Sequence, residues 1–309
     1  MATTKAMPTA LQLRLGRQLA VLRDGAGKTW EEAAAHLGVH PGTIRRLELA
    51  QVKPKVMAVR PLLELYGATR EQIADFMEQV KQANTAEWWH DFRDVLPDGF
   101  GRFVSLEGAA SLIRAYEPHS IPALLQTEAY ARALLSMDHP DASQTELERR
   151  VELVLERQRH CLTGRVEPTV LWVVMEETAV RKSVGGAAVM GPQIERLIAD
   201  AALPNIQLQI LPHASGAYSA RQGQFSLFRF DTAPELPDNV YVDNLTGGEY
   251  LDEKTSAYIQ SLDRMSAEAA PLDVSPAFLR DIHRELWAHP AASRRRTGSE
   301  SEKRNGEVA

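Results

Sequence analysis

The stretch TWEEAAAHLGVHPGTIRRLELA, residues 29–50, restricts this chain more than any other. Thr29 can cap a helix, and Glu32 three residues on completes a capping box, each side chain answering the other's backbone N–H. Ala33, Ala34 and Leu37 recur at helical spacing as a stripe of mostly small residues, so a neighbouring helix can approach closely. Gly38 can adopt the left-handed backbone of a sharp turn, and Pro41 suits the first position of a second helix, where its missing N–H costs nothing. In that second helix Ile44 and Leu47 point inward, which leaves Gly42, Thr43, Arg45 and Arg46 outward. Two helices about a glycine turn, the second with polar outward residues, are the helix-turn-helix arrangement, whose second helix fits the DNA major groove.

Arginine is the side chain best shaped for guanine, donating to O6 and N7 together. Small Gly42 and Thr43 let the helix N-terminus approach the groove, while Lys28, Lys53 and Lys55 can hold phosphates, as can helix N-termini. Thr29 and Trp30, at the start of the preceding helix, complete the candidate DNA-facing set. Charge follows the same division. Residues 9–66 carry nine Lys/Arg against five Asp/Glu, and the remainder carries 26 against 36. A basic head on an acidic body argues that only the head meets an anionic partner.

The flanks extend the head into a five-helix bundle. Leu11, Leu15, Leu19 and Leu22 predict a helix over 10–24, ended by Gly25 and Gly27, and further helices are expected over 55–66 and 70–84. With 309 residues there is room for a second domain. The expected division is a head over 1–85, an α+β domain over 86–288 and a disordered, Ser/Arg/Glu-rich tail over 289–309. In the larger part, after Trp88, Trp89 and a Pro97-Asp98-Gly99 turn, the pattern predicts helices over 103–117, 126–137 and 143–163. Strands are then expected in TVLWVVM, IQLQIL, QFSLFRF and NVYVD, with a helix over 192–202 and two closing helices over 254–270 and 276–288. The fold class is therefore multi-domain: an α-helical bundle, then a small mixed β-sheet flanked by helices.

Chemistry-bearing clusters are sparse. The single cysteine, Cys161, cannot form an internal disulfide or a Cys-rich zinc site, and with no H-E-x-x-H motif neither a metal nor a cofactor is expected. Glu176 and Glu177 are adjacent on a strand and point to opposite faces, which does not make an acid/base pair. GGAAVMGPQ has the wrong glycine spacing for a phosphate cradle and reads as a plain loop. A hydrolase would need Glu177, His213 and Ser215 mutually bonded in one pocket. No catalytic residue is assigned, and the protein is not expected to be an enzyme. No apolar run approaches a membrane span, and residues 1–10 lack a signal peptide's apolar core, so the expected location is the cytoplasm, away from any membrane.

Two resemblances attach to these motifs. Thr29-Trp30-Glu31-Glu32-Ala33-Ala34, Leu37-Gly38-Val39, Thr43-Ile44 and Arg46-Leu47-Glu48 resemble the Xre/lambda-repressor type of helix-turn-helix over residues 9–70. That resemblance implies that Arg46, Arg45 and Gly42 face bases, that Thr43 and the helix start face phosphates, and that Glu48 pairs with Arg23. The chain departs from the family at Trp30, where the family has Gln and where the indole either packs on a sugar or staples the helix start. It departs again at His40 in place of a capping Ser, and at Ala50 in place of Gly.

The stretch YEPHSIPALLQTEAYARALL resembles the domain of unknown function that follows an Xre-type head in WhiJ-type actinobacterial regulators, a resemblance covering residues 88–288. There Leu125, Gln126 and Tyr130 either line a ligand or partner groove or only buttress the sheet. The resemblances imply a DNA-binding transcriptional repressor, acting on double-stranded operator DNA. Duplicated half-sites imply a homodimer. The second domain would sense a small ligand or a small partner protein encoded nearby. An antitoxin-like protein neutralising a small partner is the alternative, with a DNA-targeted hydrolase behind it.

Overall fold

The computed structural model describes residues 8–215, 223–231, 233–244 and 247–287. The expected tail over 289–309, and the end of the closing helix at Ala288, lie outside the described residues. Two compact units are present. One runs through Ile113 and takes in Leu227–Thr255; the other combines Arg114–Ser226 with the residues from Ser256 onward.

The first unit opens with five helices: α1 (Ala10–Gly25), α2 (Trp30–Leu37), α3 (Pro41–Glu48), α4 (Val56–Leu65) and α5 (Arg70–Ala83). Thr9, Thr29 and Thr69 cap α1, α2 and α5, each with a capping box completed by Gln12, Glu32 or Gln72. The first four helices end alike. A left-handed residue follows each C-terminus within two positions, at Gly27 (φ +65°), Gly38 (+66°), Ala50 (+53°) and Gly67 (+76°). Paired backbone bonds then close the end, as in Val39 N–H to Ala34 O and Gln51 N–H to Arg46 O. Leu15, Leu19, Ala33, Ala34, Ile44, Leu47, Leu62 and Phe76 share the bundle's core. A 3₁₀ turn at Trp88–Phe92 leads to α6 (Phe100–Ala109).

The strands are β1 (Leu112–Glu117), β2 (Val170–Glu176), β3 (Ile206–Leu211), β4 (Phe225–Arg229), β5 (Asn239–Val242) and β6 (Glu249–Leu251), in a six-stranded sheet of order β3-β2-β1-β4-β5-β6. The sheet is mixed: β2 pairs β3 in parallel, and β5 pairs β6 antiparallel. In the first unit, Phe103 of α6 packs edge-on against Phe228 and Tyr241, at 5.3 and 4.7 Å between ring centroids. The second unit adds α7 (Glu128–Asp138), α8 (Gln144–Gln158), α9 (Glu177–Arg181), α10 (Ala187–Asp200), α11 (Thr255–Glu268) and α12 (Ser275–Ile282), with α10 joining the parallel pair β2 and β3.

Two expectations give way. LIRAYE belongs to β1, not to a helix over 103–117, and all of it from Ile113 on is buried, Arg114 and Glu117 included. Its residues suit a helix well enough, but its place inside the sheet overrides local preference. GGAAVMGPQ is not a plain loop. Gly186 (φ +81°) caps α10, and the helix runs through Pro192, which falls in its second turn. Alternation along β3 puts Gln209 on the face opposite Ile206, Leu208 and Ile210, and it too is buried: Trp172 donates to it, and its amide donates to the Ser266 and Ala270 carbonyls. Among the described residues no helix is long and apolar enough to cross a membrane.

Candidate nucleic-acid interface

The turn between α2 and α3 sets the geometry of the site. Gly38 reverses the chain, and His40 begins α3 by accepting the Gly42 N–H on Nδ1 at 3.0 Å. Imidazole thereby does what a serine hydroxyl does at other N-caps, in its tautomer with Nδ1 unprotonated. Pro41 occupies the first helical position. Ile44 and Leu47 are buried, whereas Arg45 and Arg46 are exposed, so α3 presents its guanidinium groups to solvent. Arg46 folds back along its own helix, with Nε donating to the Gly42 carbonyl at 3.2 Å and Nη2 lying 3.5 Å from the Thr43 hydroxyl. His40, Gly42, Arg45, Arg46, Leu49 and Gln51 line a shallow concavity of about 420 Å³ along this face.

A charged cluster holds α3 from behind. Arg23 of α1 donates to Glu48 at the end of α3 through Nε (2.7 Å) and Nη2 (3.1 Å), and both side chains are buried. The bidentate fork fixes direction as well as distance. Glu48 raises the Arg23 pKa above its ordinary value, chiefly through this hydrogen bond. Trp30 of α2 donates its indole N–H to Glu48 at 2.8 Å. Its ring has the Arg23 guanidinium at 5.2 Å and that of Arg45 at 5.6 Å from its centroid, both cation–π distances. Trp30 thus links three helices and orients one of the outward arginines. Even so, Trp30 is 38 % exposed.

Behind the pair, the buried Tyr66 hydroxyl has no hydrogen-bond partner among the described residues, and burial, with Glu48 nearby, pushes its pKa to about 12. Gly16 of α1 faces the same helix end. A methyl group there would lie 2.4 Å from the Glu48 carbonyl oxygen, so the two backbones touch only because the side chain is a hydrogen. A glycine in the interior of a leucine-rich helix was the available signal in the sequence. Lys53 and Lys55 are exposed on the connection to α4, and Lys55 occupies that helix's N-cap position without a side-chain cap bond. The Thr29 hydroxyl accepts the Glu32 N–H at 3.1 Å.

Leu125, Gln126 and Tyr130 are brought together in the second unit, but all three are buried. Gln126 donates to the Ile121 carbonyl (2.7 Å), and the Tyr130 hydroxyl accepts the Ile121 N–H (3.2 Å). Two further glutamines close the cluster. Gln158 donates to the Ala123 and Gln126 carbonyls, each at 2.8 Å; Gln193, fully buried, donates to the Leu125 carbonyl and accepts the Thr127 N–H. The polar groups of the turn are thus taken up by neighbouring side chains, as a buttress requires.

Glu177, His213 and Ser215 do not form one bonded set. Glu177 accepts the backbone N–H of His213 at 2.9 Å and pairs with Arg181, while Ser215 donates to the Glu268 carbonyl at 3.2 Å. Although burial pushes the other way, the His213 N–H and Arg181 hold the Glu177 carboxyl below its ordinary range. Glu176 accepts from the Tyr116 hydroxyl. Cys161 is buried.

Residues 14–76 match the model of a helix-turn-helix domain, which points to a DNA-binding regulator. Residues 100–281 match the model described as Domain of unknown function (DUF5753). No curated protein and no solved structure matches the chain. The second of these spans takes in more than half of the molecule, and the chain therefore belongs to the DUF5753 family, carrying a helix-turn-helix domain ahead of it.

Proposed function

We propose that this protein is a sequence-specific DNA-binding transcriptional regulator of the Xre type, acting as a repressor on double-stranded operator DNA. The observation that carries the reading is the exposed Arg45–Arg46 pair on a helix whose far end is clamped by Arg23, Glu48 and Trp30. Arg46, Arg45 and Gly42 face bases, and Thr43, Thr29, Lys53 and Lys55 face phosphates. Trp30 packs beside the backbone while holding Arg45 in line. One head reads few base pairs, so a homodimer on paired half-sites supplies the specificity. The functional division is a head over 1–85 and a WhiJ-like sensing domain over 86–288, which answers a small ligand or a small partner protein from the cytoplasm.

Sites selected from a random DNA pool by the full-length protein test this reading. Arg46→Ala should weaken binding to the selected site by about 1–3 kcal/mol while leaving binding to unrelated duplexes and thermal melting unchanged. Equal affinity of variant and wild type for the selected site would falsify base contact by this arginine.

A further inference from the structure

A partly open cavity of about 60 Å³ lies within the first compact unit, against the last turn of α3. It is large enough for more than one water and is walled largely by apolar side chains, among them Leu13, Leu106 and Phe230. Two residues of its lining carry buried polar atoms that are unexplained. Asn239, at the start of β5, is 4 % exposed, and its Oδ1 has no hydrogen-bond partner among the described residues. Arg102 of α6 stacks over the Tyr250 ring at 4.4 Å, and its buried Nε likewise has none. Burial pulls the Arg102 pKa below its ordinary value, although a guanidinium stays protonated at neutral pH. Unsatisfied groups of this kind are rare in folded proteins and call for a partner.

The two atoms ask for opposite things. Asn239 Oδ1 needs a donor, and Arg102 Nε needs an acceptor. Arg17 also lines the cavity, held only loosely by Asp252 at 3.5 Å, with both side chains about half exposed. Of the two carboxylates in the wall, Glu48 is already committed to Arg23 and Trp30, and Asp252 stands alone against two arginines, which leaves one positive charge in excess. We propose that this cavity binds a small organic acid carrying a hydroxyl or amino donor, its carboxylate held by Arg102 and Arg17 and its donor by Asn239. An ion bearing only acceptor oxygens would set one of them against Asn239 Oδ1. Glu48 and Leu49, where α3 ends, belong to the same wall. An occupant therefore touches the end of the recognition helix, and its presence changes affinity for DNA. That consequence rests on the proposed DNA binding; the binding of the acid does not.

Calorimetry on the full-length protein without DNA, using glycolate and acetate, tests the site. Glycolate, which has the donor, should bind about tenfold more tightly than acetate, and Arg102→Gln should weaken glycolate by about tenfold or more. Asn239→Ala should abolish the preference for glycolate while leaving acetate binding unchanged. Should either variant melt early, a crystal of the wild type soaked in glycolate gives the answer directly. Only water between Asn239 and Arg102, no heat with either acid, or equal glycolate binding by wild type and Arg102→Gln overturns the proposal. Those failures leave the DNA reading intact, and loss of DNA recognition would leave a measured glycolate affinity intact. If the acid binds, its addition should shift affinity for the selected DNA site in the wild type and not in Arg102→Gln.

Discussion

Two turns in this molecule are held by buried polar clusters of opposite character. Behind α3 the fastening is ionic: Arg23, Glu48 and Trp30 meet side chain to side chain and join three helices. Around residues 121–127 it is neutral: Gln126, Gln158 and Gln193 bind main-chain groups of the turn itself. A guanidinium fork and a carboxylate accept few alternative arrangements, so the first cluster specifies one geometry but leaves a buried charge short of its main partner when half of it is lost. Amides bound to backbone specify less and lose less. The helix that carries the exposed Arg45 and Arg46 has the stricter fastening.

The sharpest way to break this contrast is at Glu48. Glu48→Ala leaves the buried Arg23 guanidinium only the exposed Asp24 carboxylate and the Lys28 carbonyl, and should destabilise the head by about 3 kcal/mol in chemical denaturation. A joint Arg23→Met and Glu48→Leu replacement should recover much of that, and if it does not, the pair contributes more than the removal of its own unpaired charge. Gln193→Leu comes next, at about 2–3 kcal/mol, because the Leu125 carbonyl and Thr127 N–H are left unpaired but uncharged. A larger loss than for Glu48→Ala would invert the comparison. Tyr66→Phe should have the smallest effect, between no change and a gain of about 1 kcal/mol, since its buried hydroxyl has no partner to lose. A loss of more than about 1 kcal/mol would make that hydroxyl a fourth member of the ionic cluster.

The same contrast decides what could be read in advance. Thr29, Glu32, Gly38 and Pro41 act through local backbone geometry, so the head's helices stand close to where the spacing put them. The Arg23–Glu48 pair came only through resemblance, because nothing local joins residues 25 apart in sequence. Gln158 and Gln193 carry no mark in the sequence; a glutamine that serves a distant carbonyl has no periodicity and no partner of opposite charge to betray it. β1 was misread for a related reason: LIRAYE becomes a strand through its neighbours in the sheet, with Arg114 buried against the Trp172 ring and paired with Asp263. His40 shows the reverse case, a residue other than the usual Ser, Thr, Asp or Asn cap that keeps the hydrogen bond by other chemistry.

Gly16 bears on how such a head can change. Its contact with Glu48 is backbone on backbone, so the pitch of α3 against α1 is indifferent to side-chain rotamers. From that fulcrum the start of α3 lies about 10 Å away along the helix axis. A single added carbon at the pivot would swing the far end by more than it moves the near one, re-aiming the arginines without altering either of them.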